Sequence, residues 1–112
     1  LGNLNSLRDW GHAKDYVRGM WLILQQDNPD DYVCATGQTH SIKDLCEYVF
    51  NKLGLDYTNY VVIDQQFSRP QETKHLKGDA SKLKNIVGWK PEYTFESMMD
   101  EMIDYWMNIY GK

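Results

Sequence analysis

Three stretches of the chain repeat apolar residues every three or four positions, the spacing that places them on one face of an α-helix. The first runs from about Lys14 to Gln26 and ends at a polar turn that contains Pro29. The second lies between Ser41 and Leu53, and the third follows Thr94. The apolar positions are Tyr16, Val17, Met20, Trp21 and Leu24; Ile42, Leu45, Cys46, Val49, Phe50 and Leu53; and Phe95, Met98, Met99, Met102, Ile103, Trp106, Ile109 and Tyr110. The pattern predicts three amphipathic helices, with Cys46 and the three methionines in the core.

The residues at the ends of these stretches are typical helix signals. Ser41 and Asp44, three positions apart, predict a capping box, and Gly54 predicts a left-handed turn after the second helix. Thr94 is the expected N-cap of the third helix. A shorter helix is expected after Asp79, ending at Gly88.

Short β-like runs lie between the helical stretches. Residues 31–37 (DYVCATG) and 59–64 (NYVVID) are rich in β-branched and aromatic residues, and residues 7–13 (LRDWGHA) form a weaker candidate. Alternation of strands and helices predicts an α/β arrangement with a small parallel component. The sequence shows no repeat and no break in composition, so residues 1–112 are expected to form one domain, or part of one.

Composition narrows the class of protein. Apolar residues make up 42% of the 112 positions and charged residues 25%, which is typical of globular proteins. The net charge is −4 with acids and bases interspersed, which disfavours a nucleic-acid surface. No apolar run approaches the roughly 20 residues that span a bilayer, and no signal peptide is visible. Cys34 and Cys46 lie in apolar surroundings, which indicates a reducing cytoplasm rather than a disulfide framework.

Aromatic residues account for 13% of the chain, a high proportion for a chain of this length. Together with the abrupt start of the sequence, this indicates a fragment of a longer protein whose core is shared with another part. Trp10 and Trp89 are expected on the apolar surface that would meet that part, where they would favour self-association.

The sequence contains no credible catalytic centre. Tyr48 and Lys52 match the Tyr-x-x-x-Lys spacing of short-chain dehydrogenases, but they fall on the polar face of the second helix and are interpreted as a surface pair. The histidines and cysteines lack the intervals of metal ligands. No GxGxxG or phosphate loop is present, so no cofactor is expected on this chain. The histidines are His12, His40 and His75.

Basic groups in predicted loops are the remaining candidates. Arg8 follows a turn at Gly2 and Asn3, and Arg69 precedes a proline that biases it toward extended backbone. A guanidinium suits phosphate, and Glu72 could accept hydrogen bonds from a ribose diol. Ordinary ion pairs, Arg8 with a neighbouring carboxylate and Arg69 with Glu72, explain the same residues, so spacing alone leaves both readings open.

Two long motifs resemble the C-terminal portion of the GDP-mannose 4,6-dehydratase family. They are LGNLNSLRDWGHAKDYVRGMWLILQQDNPDDYVCATGQTHSIKDL at 1–45 and RPQE…LKGDASKLKNIVGWKP at 69–91. The resemblance implies the small mixed helix/strand subdomain of an extended short-chain dehydrogenase/reductase, with the Rossmann half missing. That half would bind NADP and carry the catalytic residues of a homo-oligomeric parent that oxidises the mannose at C4, removes water across C5–C6 and returns the hydride to C6.

The resemblance also implies site residues. Arg8 and Arg69 would contact the GDP phosphates or ribose, Glu72 the ribose hydroxyls, and Asn3 and Leu4 would lie near the nucleotide through their backbone. Two departures from the family pattern stand out. A leucine occupies position 7 where a basic residue is expected, and the segment between residues 54 and 69 looks shorter.

These expectations define one function and two rivals. The chain is expected to be the GDP-mannose-binding part of a dehydratase, inactive by itself, with the Rossmann half as its partner. The rivals are the corresponding part of another nucleotide-sugar dehydratase or epimerase, and a stand-alone binding module without catalysis.

Overall fold

The computed structural model describes residues 1–67 and 75–111, which divide into two compact units. Unit 1 comprises Leu1–Arg8 and Thr39–Leu76, and unit 2 comprises Asp9–Gln38 and Lys77–Lys112. No helix in the described ranges is long and apolar enough to cross a membrane.

Unit 1 is built on a two-stranded sheet and one helix. Strand β1 (Leu7–Arg8) pairs antiparallel with β2 (His40–Ser41), with Leu7 opposite Ser41. Helix α2 (Ile42–Lys52) follows directly, and short 3₁₀ turns occupy Tyr57–Asn59 and Gln65–Phe67. Leu7 also forms a parallel bridge to His75, its carbonyl accepting the Leu76 amide at 3.0 Å.

Unit 2 contains two helices and a π-helical turn. Helix α1 is Ala13–Leu24, helix α3 is Phe95–Tyr110, and the π turn is Leu83–Val87, preceded by one helical step at residues 81–82. Its core comprises Ala35, Leu83, Trp89, Phe95, Met98 and Met99.

The predicted helix ends are confirmed. The Ser41 hydroxyl accepts the Asp44 amide at 2.9 Å, and the Asp44 carboxylate accepts the Ser41 amide at 3.0 Å. Thr94 caps α3 in the same reciprocal way, and Gly54 adopts φ +74°. The short helix before Gly88 is also present, with π geometry and Gly88 at φ +84°.

The predicted strands at 31–37 and 59–64 are wrong: neither segment is a strand in the structure. The amides of Thr36 and Gly37 bond instead to the Asp9 carboxylate, at 3.0 and 2.8 Å. The second segment bonds to Leu1 at two points: the Leu1 ammonium donates to the Val62 carbonyl at 2.9 Å, and the Leu1 carbonyl accepts the Asp64 amide at 2.7 Å. A strand needs a neighbour along its length, so the parallel component of the described residues reduces to the Leu7–His75 bridge.

The predicted core faces of α1 and α3 also need correction. Asp15 and Gly19 are the buried positions of α1, whereas four residues of its apolar stripe are exposed: Val17, Met20, Trp21 and Leu24. Met98 and Met99 are buried as predicted, but Met102 is 52% exposed. An apolar stripe is buried only where another surface covers it. In α2 the prediction for Cys46 is confirmed, at 4% exposure.

Trp89 was expected on the surface and is instead 1% exposed, so this expectation is wrong. Its indole Nε1 donates to the Asp15 carbonyl at 2.9 Å, and the Arg18 guanidinium lies 5.7 Å from its ring centroid. The backbone of Gly19 lies against it, since a Cβ there would be 3.1 Å from the indole nitrogen. Trp10 is half-buried, with its ring 6.0 Å from that of Phe95.

Candidate functional site

The loop at residues 2–5 is held against the first turn of α2. The Asn3 side-chain oxygen accepts the Asn5 amide at 2.9 Å, which closes a local Asx turn. The Leu4 carbonyl accepts the Lys43 amide at 2.9 Å. These bonds fix the backbone of Asn3 and Leu4, the two positions implied to lie near a nucleotide.

A cavity of about 380 Å³ opens beside this loop, entirely within unit 1. It is lined by residues 2–5 together with Lys43, Tyr57 and Ile63. Tyr57 begins a 3₁₀ turn that Asp56 caps by accepting the Thr58 amide at 3.0 Å. A cavity of this size, with a fixed loop, a cation and an aromatic ring, has the ingredients of a small-molecule site.

Lys43 supplies the positive charge of this cavity. Its ammonium lies 4.0 Å from the Glu47 carboxylate, and both side chains are about half exposed, so the pair holds it only weakly. Sequence reasoning missed Lys43, Tyr57 and Ile63. The sequence did contain a signal for Lys43. A lysine in the first turn of a helix interacts unfavourably with the helix dipole, so its presence there suggests a role other than helix stability.

The predicted site residues are only partly brought together. Asn3 and Leu4 line the cavity, but Arg8 is not among its lining residues. Arg8 is half-buried in β1, where its Nη1 donates to the Leu7 carbonyl at 2.8 Å. Arg69 and Glu72 lie outside the described residues. Leu7, the departure from the family pattern, is a half-buried strand residue bonded on both sides.

The other residues considered as catalytic or metal-binding candidates have ordinary structural positions. Lys52 is exposed on α2 and Tyr48 is half-buried there. His12 caps α1, its Nδ1 accepting the Lys14 amide at 3.0 Å, while its Nε2 lies 3.1 Å from the Glu101 carboxylate. Within residues 1–67 and 75–111, no three His, Cys, Asp or Glu side chains are grouped so as to hold a metal ion.

Burial, complete for Cys46 and partial for Tyr16 and Cys34, affects the titration of these three groups. Desolvation raises the pKa of Tyr16, and the neighbouring carboxylates Asp9 and Asp15 add to the shift. Desolvation likewise raises the pKa of Cys34 and Cys46. A lowered pKa is what favours a catalytic phenol or thiol, so the direction of these shifts does not favour a catalytic role.

The described residues do not fit a dinucleotide cofactor. Such cofactors use a glycine-rich turn that leaves the amides at a helix N-terminus free for the pyrophosphate. Here the N-termini of α1, α2 and α3 are already capped by His12, Ser41 and Thr94. The glycines with positive φ, residues 37, 54 and 88, stand singly in turns.

Comparison with known proteins identifies the family. Residues 1–102 match the family model described as GDP-mannose 4,6 dehydratase. The chain belongs to the GDP-mannose 4,6-dehydratase family. The match covers both motifs that carried the resemblance, including the loop at residues 2–5, which lines the cavity.

Individual members of the GDP-mannose 4,6-dehydratase family show how much of a relative the chain represents. GDP-mannose 4,6 dehydratase 2 of Arabidopsis thaliana is 51% identical over 104 residues, which is 93% of this chain and 28% of the relative. The human GDP-mannose 4,6 dehydratase is 39% identical over 120 positions, covering 92% of this chain and 32% of the relative. The chain thus spans about a third or less of the relatives' length.

The human alignment runs to 120 positions although the chain has 112, so that relative carries inserted residues within the matched region. That the insertions fall between residues 54 and 69 stays a prediction.

A solved structure confirms the fold. RMD from Pseudomonas aeruginosa, complexed with NADPH, superposes with a TM-score of 0.82 at 22% identity, covering 97% of this chain and 35% of that one. The expected small mixed helix/strand fold is therefore confirmed, and it corresponds to about a third of that larger chain.

Proposed function

We propose that this chain is the sugar-nucleotide-binding part of a GDP-mannose 4,6-dehydratase. The observation that carries the proposal is the cavity formed by the Asn3–Leu4 loop, Lys43 and Tyr57 in a member of that family. The proposed ligand is GDP-mannose, and the reaction of the complete protein is its conversion to the 4-keto-6-deoxy sugar nucleotide.

The chemistry of the cavity fits a nucleoside diphosphate sugar. The Lys43 ammonium offers a point charge to a diphosphate, and the Tyr57 ring offers an apolar face to a base or sugar. The fixed loop at Asn3 and Leu4 presents backbone groups without a further entropy cost on binding.

The family resemblance adds three residues to this proposal. We assign Arg8 and Arg69 to the phosphates or ribose and Glu72 to the ribose hydroxyls. In this role the side chains bind and orient the sugar, while hydride transfer belongs to NADP held by a Rossmann half outside residues 1–112.

The same proposal assigns a partner to the exposed apolar face of α1. An apolar groove on this helix is lined by Ala13, Lys14, Val17, Arg18 and Trp21. We propose that the Rossmann half covers such apolar surface in a homo-oligomeric, cytoplasmic enzyme. The chain alone is predicted to show no turnover.

Steady-state kinetics of the full-length protein with GDP-mannose and NADP test the function. We expect formation of the 4-keto-6-deoxy product. Arg69→Gln and Glu72→Gln should each raise the KM for GDP-mannose by about 10- to 100-fold, the loss expected for a hydrogen bond to a charged group. Lys52→Gln, which removes an exposed charge on α2 outside the cavity, should leave KM unchanged.

Two results would contradict the proposal. Absence of the keto product from a folded full-length protein would refute the reaction, and equal or tighter binding of UDP- or dTDP-sugars would refute the substrate. Unchanged KM in both the Arg69 and Glu72 variants would remove these residues from the site.

A further inference from the structure

A second group of basic residues surrounds a cavity in unit 2. The cavity has a volume of about 540 Å³, and its walls come from residues 35–37 and 77–81, together with Lys84, the buried Trp89 and Lys90. It shares no lining residue with the cavity beside Asn3 and Leu4. The function proposed above therefore does not account for it.

The lining carries an excess of positive charge. Lys77, Lys84 and Lys90 all line the cavity and are exposed, and none forms an ion pair within the part of the chain that the structure describes. The neighbouring Lys82, in contrast, is 2.8 Å from the Asp30 carboxylate. Asp79 is the one carboxylate of the lining. Even with the Asp9 carboxylate counted, which bonds the amides of Gly37 and Gly78, three ammonium groups outnumber two carboxylates and attract anions, in a chain whose net charge is −4.

The two walls are held together by one carboxylate. Asp9 accepts the Gly37 amide at 2.8 Å and the Gly78 amide at 3.2 Å, so segments 41 positions apart in the sequence are fixed side by side. The fit is close, since a Cβ at Gly78 would lie 2.1 Å from that of Ala35. The cavity is therefore preformed, and a ligand would bind it without first ordering these walls.

We propose that this cavity binds a small phosphate-bearing anion with at least two negative charges, such as a diphosphate or a phosphate ester. Lysine ammonium groups bind phosphate as point charges, and three lysines line this one cavity. Trp89 and Pro91 provide apolar surface against which the organic part of an ester can pack. The volume lies in the range of small-molecule sites.

Competitive acetylation of the full-length protein tests the site at residue resolution. The protein is treated with acetic anhydride with and without inorganic pyrophosphate, and the modification of each lysine is measured by mass spectrometry. We expect pyrophosphate to protect Lys77, Lys84 and Lys90 in a saturable manner. Lys52, exposed on α2 and outside both cavities, serves as the internal control and should stay equally reactive. Protection should weaken as ionic strength rises.

Charge variants test whether pyrophosphate binding depends on the charges that line the cavity. Lys84→Gln and Lys90→Gln should each weaken pyrophosphate binding, read from protection of the remaining lysines, by about three- to ten-fold. Asp79→Asn should strengthen it, because it removes the opposing charge of the lining while asparagine can still cap the Ser81 amide, as Asp79 does at 3.0 Å. Lys52→Gln, at an exposed position of α2, should leave it unchanged. Circular dichroism checks that each variant is folded.

Three outcomes would overturn the proposal. Cavity lysines that are unreactive before any ligand is added would mean that the rest of the protein covers them. Protection of Lys52 equal to that of the cavity lysines would mean non-specific screening. Weaker or unchanged protection in Asp79→Asn would remove the electrostatic basis. A phosphate ester such as glucose 6-phosphate, tested alongside pyrophosphate, distinguishes an organic ligand from an inorganic one.

Discussion

Two buried or half-buried carboxylates organise unit 2. Asp9 accepts the amides of Thr36, Gly37 and Gly78, and Asp15 accepts those of Glu92 and Tyr93 at 3.0 and 3.1 Å. Neither role was predicted from sequence, because both aspartates sit in stretches where they read as ordinary polar residues. A carboxylate inside a protein needs several donors, and here the backbone of distant segments provides them.

Replacing Asp15 tests the importance of such a carboxylate. Asp15 is 2% exposed, so Asp15→Ala would leave two backbone amides without an acceptor. We expect the free energy of unfolding to fall by about 2–4 kcal/mol. Urea unfolding followed by tryptophan fluorescence measures the change. Asp104→Ala, at an exposed position of α3, should change stability by less than about 0.5 kcal/mol. Equal effects of the two variants would contradict this role.

At the scale of elements, sequence predicted helices well and strands poorly. Capping at Ser41 and Thr94 is local chemistry that a few neighbouring residues decide, so the three helices appeared where expected. The segments 31–37 and 59–64 have strand-like sequences, but a strand also depends on partners that the local sequence does not specify. The same reasoning explains the site: the loop at Asn3 was predicted, whereas Lys43 and Tyr57 join it through tertiary packing.

Acid should weaken the 3₁₀ turn at Tyr57–Asn59, which borders the candidate site. Hydrogen bonds from the Thr58 side chain and amide lower the pKa of Asp56 below its ordinary value of 3.8. A lowered pKa in the folded state means that the carboxylate stabilises the fold above pH 3.8. This contribution disappears as the pH falls through the lower, folded-state pKa.

Asp56→Asn keeps the cap but removes the titration, so its stability should fall less between pH 6 and pH 2 than that of the unmodified protein. Thermal unfolding at a series of pH values measures the difference. Identical acid sensitivity of the two proteins would contradict the prediction.

For the molecule as a whole, the exposed apolar face of α1 is the feature that best indicates a contact with another protein segment. Leu24 is 79% exposed and Val17 63%, although both belong to an apolar stripe. Patches of this kind indicate a surface that another protein segment covers. This agrees with a chain that represents 28% of the Arabidopsis relative's length.

The isolated 112-residue polypeptide should self-associate through this face. Leu24→Lys should lower the association constant measured by sedimentation equilibrium, because it places a charge within the apolar stripe. Asn28→Lys adds the same charge at an exposed position beyond the helix and should have little effect. If the unmodified polypeptide remains monomeric over a wide concentration range, self-association through the α1 face is contradicted.

The bridge that Asp9 makes between residues 37 and 78 has a consequence for changes in chain length. A Cβ at Gly37 would lie 4.0 Å from the Gly78 carbonyl, so the two parts of unit 2 on either side of residues 39–76 meet at this point. We expect insertions or deletions within residues 39–76 to leave this bridge in place, because all of its hydrogen bonds are made by residues of unit 2.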